Sequence, residues 1–396
     1  MIPVDEAVQR IVAAFTPVGI ESVAIGDAAG RVLAEDALAK SSQPRQAVSS
    51  MDGYAVKAAD CAKPGATLTV IGSAPAGHPF AGTLTHGDAV RIFTGGVVPD
   101  GADAVLLQED ATVDGKSVKF SVAARPAQNV RAAGLDFKAG EPLLKAGARL
   151  TARDLSLIAA GDVARVSVRK KPRVVFVATG DELSMPGALR KPGGIVASSG
   201  YALAAMIERW GGEAIDLGIL PDTADAVASI AEKSAGADLI VTLGGASVGD
   251  HDLVQKALGP KGFALDFWKI AMRPGKPLIF GKLGKTPLLG LPGNPVSTLV
   301  CAMLFLRPAL AAMLGTSHAV PIVRARLLRD LKENDSRQDY VRARMEMRDG
   351  ERFVEAFAVQ DSSMLSVFAR ADGLIVRAPR APAAKSGEAV DVLLLE

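Results

Sequence analysis

Residues Thr242–Asp252 read T-L-G-G-A-S-V-G-D-H-D. The stretch follows Asp238-Leu239-Ile240-Val241, whose apolar run is the pattern of a buried strand. Gly244, Gly245 and Gly249 let the backbone pass close to a ligand and turn N–H groups toward it. Ser247 adds a hydroxyl, and Asp250 and Asp252 add two carboxylates. Backbone donors beside paired carboxylates suit a phosphate ester with a bound divalent cation. The same residues would equally make a tight strand-to-helix turn capped by aspartate. Which reading applies turns on whether other loops of this composition reach the same place.

Working outward, the chain from Arg173 to Leu314 alternates short apolar runs with helical periodicity. Val174–Ala178, Ala214–Leu217, Leu239–Leu243, Leu265–Ile270, Pro277–Phe280 and Thr286–Leu291 read as strands. Ala202–Trp210 puts Leu203, Met206, Ile207 and Trp210 on one helical face, and Asp222 stands where it can cap a helix over Thr223–Ala235. The spacing predicts an open α/β sheet with helices on both faces, a fold in which ligands bind beyond the carboxyl ends of the strands. The loops in those positions are Thr179–Leu183, Gly218–Asp222, the opening stretch, Met272–Lys276 and Pro292–Pro295. They carry Asp181, Glu182, Asp222, Asp250 and Asp252, together with Arg273 and Lys276, and Lys269 is nearby. Each loop alone has a plain structural explanation: a helix cap, a hairpin turn, a proline at a helix start. Five of them on one edge favour a shared anionic ligand and the chemistry of Mg²⁺-assisted attack at a phosphoanhydride. No Walker loop is present, no G-x-G-x-x-G follows a first strand, and no Ser or Cys nucleophile has a His partner.

On either side the pattern is β. Thr67–Ile71, Ala89–Phe93, Ala104–Leu107 and Ser117–Val122 are short apolar runs, Asp114-Gly115 marks a hairpin, and Met51–Val56 (M-D-G-Y-A-V) begins the region. Tyr340–Met347 alternates strictly, with Val341, Ala343, Met345 and Met347 on one face and Arg342, Arg344 and Glu346 on the other. The expected organisation is a discontinuous N-terminal linking domain (1–47 and 129–171), an inserted small β domain (48–128), the α/β domain (172–317) and a C-terminal β-barrel-like domain (318–396).

Composition narrows the class. A chain of 396 residues with net charge +2 has no polyanion-binding surface, so nucleic acid is not expected as a partner. Cys61 and Cys301 are the only cysteines, which fits a reducing compartment, and the four histidines have no zinc-ligand spacing. The N-terminus is acidic where a signal peptide would be basic, and Arg307-Pro308 interrupts the most apolar segment, Val296–Leu314. The expectation is a cytoplasmic protein with no membrane partner, and with that segment a buried helix.

The ordered motifs T-G-D-E-L, G-G-x-S-x-G-x-x-D, R-P-G-K-P and L-P-G-N-P resemble the molybdopterin-binding domain of molybdenum cofactor biosynthesis proteins. With M-D-G-Y-A, T-G-G-x-V-P-x-G-A-D and R-x-x-G-x-D ahead and a β tail behind, the whole chain resembles the molybdopterin molybdenumtransferase (MoeA) family, to which the gephyrin E domain is similar. The resemblance implies a homodimer that binds adenylylated molybdopterin, inserts molybdate and releases AMP with Mg²⁺, and it makes the molybdopterin adenylyltransferase a candidate partner. It implies that Glu182, Asp222 and Asp252 are the acidic positions near metal and nucleotide. Gly244, Gly245, Ser247, Gly249 and Asp250 match the pterin-phosphate loop, with Pro292 and Pro295 in the neighbouring turn. Lys269, Arg273 and Lys276 match basic positions facing substrate and molybdate, although the family often has Lys where this chain has Arg273, and a guanidinium is not a point charge. Asp52, Thr94 and Asp136 match positions brought by the partner subunit, and Arg342 and Ser366 resemble an oxyanion-holding pair. The competing expectation is a carrier or scaffold that hands over finished cofactor without catalysing insertion.

Overall fold

A computed structural model describes residues 1–244, 251–317 and 320–395, with the backbone alone at positions 251, 252, 253 and 255. The chain divides into two compact units: Met1–Glu21 with Gly30–Ala34 and Arg169–Glu396, and Ser22–Ala29 with Glu35–Val168.

The first unit is built on a six-stranded sheet in the order Glu213–Leu220, Arg173–Thr179, Leu239–Leu243, Thr286–Leu291, Ile279–Leu283, Phe263–Trp268. The first four strands are parallel. Ile279–Leu283 is antiparallel to both neighbours, so Phe263–Trp268 runs with the first four and ends on the same edge. Apolar residues cover both faces, as the continuous runs require. Val174, Phe176, Leu239, Val241 and Leu289 pack on one side with Leu203, Ile207 and the helix Pro295–Leu314. Val175, Val177, Ile240 and Leu288 pack on the other with Val227, Ile230, Val254 and Leu258.

Two local details depart from the sequence pattern. Thr223 rather than Asp222 caps the next helix, its Oγ1 accepting from the Ala226 N–H at 3.3 Å. The expected single helix is two short ones, Ala224–Ala228 and Ile230–Lys233, and Asp222 stays outside them. Pro308 does not break the apolar helix. A π segment, Ala302–Leu306, shifts the hydrogen-bond ladder just before the residue that has no N–H to give. Pro295–Leu314 is long and apolar enough to cross a membrane, but 89% of its most apolar window is buried inside the protein, which makes it a core helix.

The C-terminal strands Gln338–Arg348, Glu351–Ala356, Ile322–Leu327, Ala389–Leu394 and Gly373–Arg377 pair in that order, and the last closes on the first. Ala343, Val354, Ile375 and Val392 fill this closed barrel. Its Tyr340, Leu374 and Leu393 join the core of the α/β sheet, so the two share one unit. Met272–Arg273 adds to the barrel beside Gln338 and Asp339. The alternation expected over Tyr340–Met347 fails at two places: Arg342, on the outward face, is 1% exposed because the turn after Phe357 covers it, and Met347, expected inward, is exposed where the strand runs out toward its turn.

The second unit contains a six-stranded half-barrel sheet in the order Ala104–Leu107, Gly53–Val56, Asp88–Ile92, Thr67–Ala74, Ser117–Phe120, Ala111–Asp114. Its last pair is the hairpin expected at Asp114-Gly115. The helix Ala152–Ala160 starts with a reciprocal capping box between Thr151 and Asp154.

The loop carrying Arg273 and Lys276 is seated on the apolar helix. Gly275 has φ +106°, and a Cβ there would lie 2.4 Å from the Cys301 sulfur. Gly275→Ala is expected to destabilise the first unit by about 2–4 kcal/mol, from left-handed strain plus overpacking. Adding Cys301→Ala should recover part of that loss, leaving the backbone strain. Thermal unfolding of the single and double variants checks this, and strict additivity would show that the sulfur contact plays no part.

Candidate active site at the carboxyl edge of the sheet

A cleft of about 400 Å³ opens where the parallel strands end, walled by Thr179, Glu182, Asp222, Gly244 and the turn Pro292–Pro295. Two carboxylates reach it from different loops. The Glu182 side chain folds back over Gly180, where a Cβ would stand 2.6 Å from its Oε2. Asp181 ties the two loops together, its Oδ1 accepting from the Asp222 N–H at 3.3 Å. The floor is backbone: the Gly244 N–H donates to the Leu291 carbonyl at 3.1 Å, and a Cβ on Gly293 would be 3.5 Å from the Gly244 Cα. Ser198, Ser199 and Ser297 line the same cleft, a feature the sequence pattern did not flag because the first two precede the expected helix Ala202–Trp210 and the third sits within an apolar run.

The structure therefore brings Glu182, Asp222, Gly244, Pro292 and Pro295 together. Gly245, Ser247, Gly249 and Asp250 lie outside the described residues, and so does the side chain of Asp252, whose backbone is the second residue of the helix His251–Leu258. Among the described residues no group of three His, Cys, Asp or Glu side chains could hold a metal. Glu182 and Asp222 still offer what Mg²⁺ takes from proteins, one or two carboxylates with the remaining positions left to water and substrate phosphate.

The cations are placed differently from one another. Arg273 donates to Asp339, lies 3.4 Å from Asp335, and also reaches Asn334. The bond to Asp339 raises its pKa above the ordinary value. Lys269 has φ +71° and holds its ammonium 3.6 Å from the centre of the Trp268 ring. Lys276 is exposed, one residue before Pro277 in the cleft wall, and pairs with no carboxylate among the described residues. Arg342 is held in the barrel: Nε donates to Gln360 Oε1 at 2.9 Å and Nη1 to the Asp361 carbonyl at 2.6 Å, and burial lowers its pKa. Ser366 is exposed on the short helix Leu365–Phe368. Ser362 is the barrel residue that meets the cleft turn, accepting from Asn294 Nδ2 at 3.0 Å through its hydroxyl and from the Val296 N–H at 3.1 Å through its carbonyl.

In the second unit Asp52 Oδ1 accepts from both the N–H and the hydroxyl of Thr94, at 2.7 and 2.8 Å. Those bonds, the backbone one first, hold its carboxyl below the usual range. Asp136 lines a separate hollow of about 410 Å³ with Gly95 and Arg131.

An open α/β sheet with a two-carboxylate, glycine-floored cleft at its strand ends, in a chain that also carries a half-barrel and a closed barrel, defines a multidomain α/β protein. Residues 2–161 match the MoeA N-terminal region (domain I and II), 175–312 the probable molybdopterin binding domain, and 324–395 the MoeA C-terminal region (domain IV). The chain belongs to the molybdopterin molybdenumtransferase (MoeA) family, whose members are transferases of molybdenum cofactor biosynthesis. It is 35% identical to the molybdopterin molybdenumtransferase of Haemophilus influenzae, over 99% of this chain and 98% of that protein. Molybdopterin molybdenumtransferase 2 of Mycobacterium tuberculosis is 37% identical over 78% of each chain. The crystal structure of a molybdopterin biosynthesis MoeA protein from Pyrococcus horikoshii superposes with a TM-score of 0.87 at 28% identity, covering 100% of both chains.

Asp335, bound by Arg337 first and by Arg273, has its pKa lowered to about 2. A depressed carboxylate stabilises the fold above its unfolded value of about 4 and loses that contribution as the pH falls toward 2. Asp335→Asn should therefore flatten the fall of the melting temperature below pH 4 and leave the profile above pH 5 parallel to wild type. Parallel profiles throughout would mean that the bonds from Arg337, and with them the pairing to Arg273, do not hold Asp335 ionised in the folded protein.

Proposed function

We propose that the protein transfers molybdenum from molybdate to adenylylated molybdopterin, releasing AMP, as a Mg²⁺-dependent homodimer of four-domain subunits in the cytoplasm. The observation that carries the reading is the pair of carboxylates, Glu182 and Asp222, in one cleft with a glycine floor. Two anionic side chains are a poor seat for a polyanion unless a cation lies between them. Glu182 and Asp222, with Asp252, would hold Mg²⁺, which when bound offsets charge on the anhydride and on the leaving AMP. The loop containing Gly244, Gly245, Ser247, Gly249 and Asp250 would take the pterin phosphate on its N–H groups, with Pro292 and Pro295 shaping the adjoining wall.

Lys276 would hold molybdate by a charge-assisted contact, since it is the cation of its loop not paired to a carboxylate among the described residues. Arg273, occupied by Asp339 and Asp335, would act by holding the loop that presents Lys276. Arg342 would act similarly on the turn at Asp361, which leads to Ser362; Ser366 remains the second hydroxyl to test in the barrel. Lys269 would contribute field rather than contact. Asp52, Thr94 and Asp136 would serve the cleft of the partner subunit, and the molybdopterin adenylyltransferase would supply the substrate.

In single-turnover experiments with purified adenylylated molybdopterin, AMP release is expected only when molybdate and Mg²⁺ are both present. Lys276→Ala should raise the molybdate concentration needed by roughly tenfold, the worth of one charge-assisted contact, and leave nucleotide binding nearly unchanged. Asp222→Ala should raise the Mg²⁺ requirement instead. Fast AMP release with Mg²⁺ and no molybdate would overturn the coupling.

For the shared site, mixing Asp52→Ala with Asp252→Ala chains should restore part of the activity, because one cleft of each heterodimer is then intact. No recovery after subunit exchange has been verified would exclude a site completed by the partner.

A further inference from the structure

Arg91 lies three residues before Thr94, near the end of the half-barrel strand Asp88–Ile92. That strand pairs antiparallel with Gly53–Val56 and sets Arg91 opposite Tyr54. The guanidinium carbon lies 5.1 Å from the centre of the Tyr54 ring and 4.7 Å from that of Phe93. From this seat Nη1 donates to the Gly53 carbonyl at 2.8 Å, and Nη2 to Gln108 Oε1. The Gln108 N–H in turn donates to the Asp52 carbonyl at 3.2 Å. Asp52 is thus tied at its side chain by Thr94, and along its backbone by Gln108 and, one residue on, by Arg91. Gly53 leaves the chain no room to shift sideways, since a Cβ there would overlap the Leu106 carbonyl oxygen. The arrangement asks for arginine in particular. A flat fork reaches two acceptors while its face stacks on the rings, and an ammonium is a point charge that does neither. The Thr94 bonds, and after them the Arg91 charge, favour the ionised form of the Asp52 carboxyl.

We propose that Arg91 is a positioning residue for Asp52: with Gln108 it clamps the Asp52-Gly53 backbone, so that the carboxylate stays against Thr94 at the edge of the half-barrel. The inference rests on the preceding reading, in which Asp52 serves a cleft, because a clamp on a carboxylate matters to the reaction only if the carboxylate does. The chain at Met51–Asp52 is a bend at the edge of the sheet, and nothing in its own secondary structure fixes the direction of the side chain. A group misplaced by about 1 Å can cost up to about 100-fold in rate, so a clamp two bonds removed from the carboxylate is worth a measurable part of that.

The test uses the full-length protein as wild type, Arg91→Met, Arg91→Lys and Gln108→Leu. Methionine keeps an apolar stem between the rings and has no donor, lysine keeps the charge without the fork, and Gln108 is exposed, so its loss removes one arm of the clamp without touching the core. The first readout is amide hydrogen exchange at Thr94, whose N–H ends on Asp52. Arg91→Met should speed it about tenfold, and Arg91→Lys and Gln108→Leu about threefold, with the strand Ser117–Phe120 of the same sheet unchanged. The second is single-turnover AMP release from adenylylated molybdopterin with molybdate and Mg²⁺. Arg91→Met should slow it about tenfold at saturating substrate, and should slow an Asp52→Ala protein no further. The proposal is overturned if Thr94 exchange does not change in Arg91→Met, if Ser117–Phe120 speeds up equally, if lysine matches wild type in both readouts, or if the Arg91 and Asp52 effects on release multiply. Faster exchange at Thr94, in a protein whose wild type shows no molybdate-triggered AMP release, would retain the clamp and reject the molybdenum-transfer reading.

Discussion

At Gly244 three strands end so close together that there is no room for a side chain. Its φ is +91°, and a Cβ would lie 2.9 Å from the Thr179 carbonyl oxygen. Its N–H is held by the Leu291 carbonyl. The strands Arg173–Thr179, Leu239–Leu243 and Thr286–Leu291 are thus pinned backbone to backbone at their carboxyl ends, and the segments they emit must part around that point. The parting makes the cleft. It also explains why the acidic residues come from loops far apart in the chain, Glu182 from one and Asp222 from another, with Asp181 bonded across the gap to keep them in register.

What could be read from the sequence follows the range of the interactions involved. Strands buried on both faces announce themselves by continuous apolar runs, and the hairpin at Asp114-Gly115 by its turn residues; both depend on a few neighbouring positions. The order of the edge loops, and with it Glu182, Asp222 and Gly244 as cleft residues, follows from the parallel topology. Arg342 could not be read this way. Alternation assigns it to an outward face, and only the return of the chain at Gln360 and Asp361 buries it. Closure of the barrel has the same character, since Gly373–Arg377 meets Gln338–Arg348 across a long intervening stretch. Helix detail failed for a smaller reason. Asp222 and Thr223 are both good caps, and which one serves depends on which takes the extended conformation, φ −116° and ψ 148° at Thr223.

The hydroxyl lining was invisible for a different cause. A serine in an apolar helix is normally silent, its oxygen turned to a carbonyl of the preceding turn. Thr298 behaves in this way and Ser297 does not, and nothing in L-P-G-N-P-V-S-T distinguishes them. The difference lies in the first turn: Thr298 has the carbonyl of the cap residue Asn294 four residues before it and also reaches that of Pro292, whereas the corresponding carbonyl for Ser297 belongs to Gly293, outside the helix.

The same reasoning separates two cations that composition treats as equal. Arg273 and Lys276 lie three residues apart in R-P-G-K-P, and both carry full charge. A guanidinium presents several donors in a fixed fork, and here the fork is spent on Asp339, Asp335 and Asn334 of the barrel region, beside the strand pairing of Met272–Arg273 with Gln338 and Asp339. An ammonium on a flexible stem carries no such geometric commitment. Replacing a lysine by arginine at the first position therefore changes what the residue does without changing its charge. Arg273 anchors its loop to the barrel region, and Lys276, exposed and paired with no carboxylate among the described residues, is the cation of that loop without such an anchor.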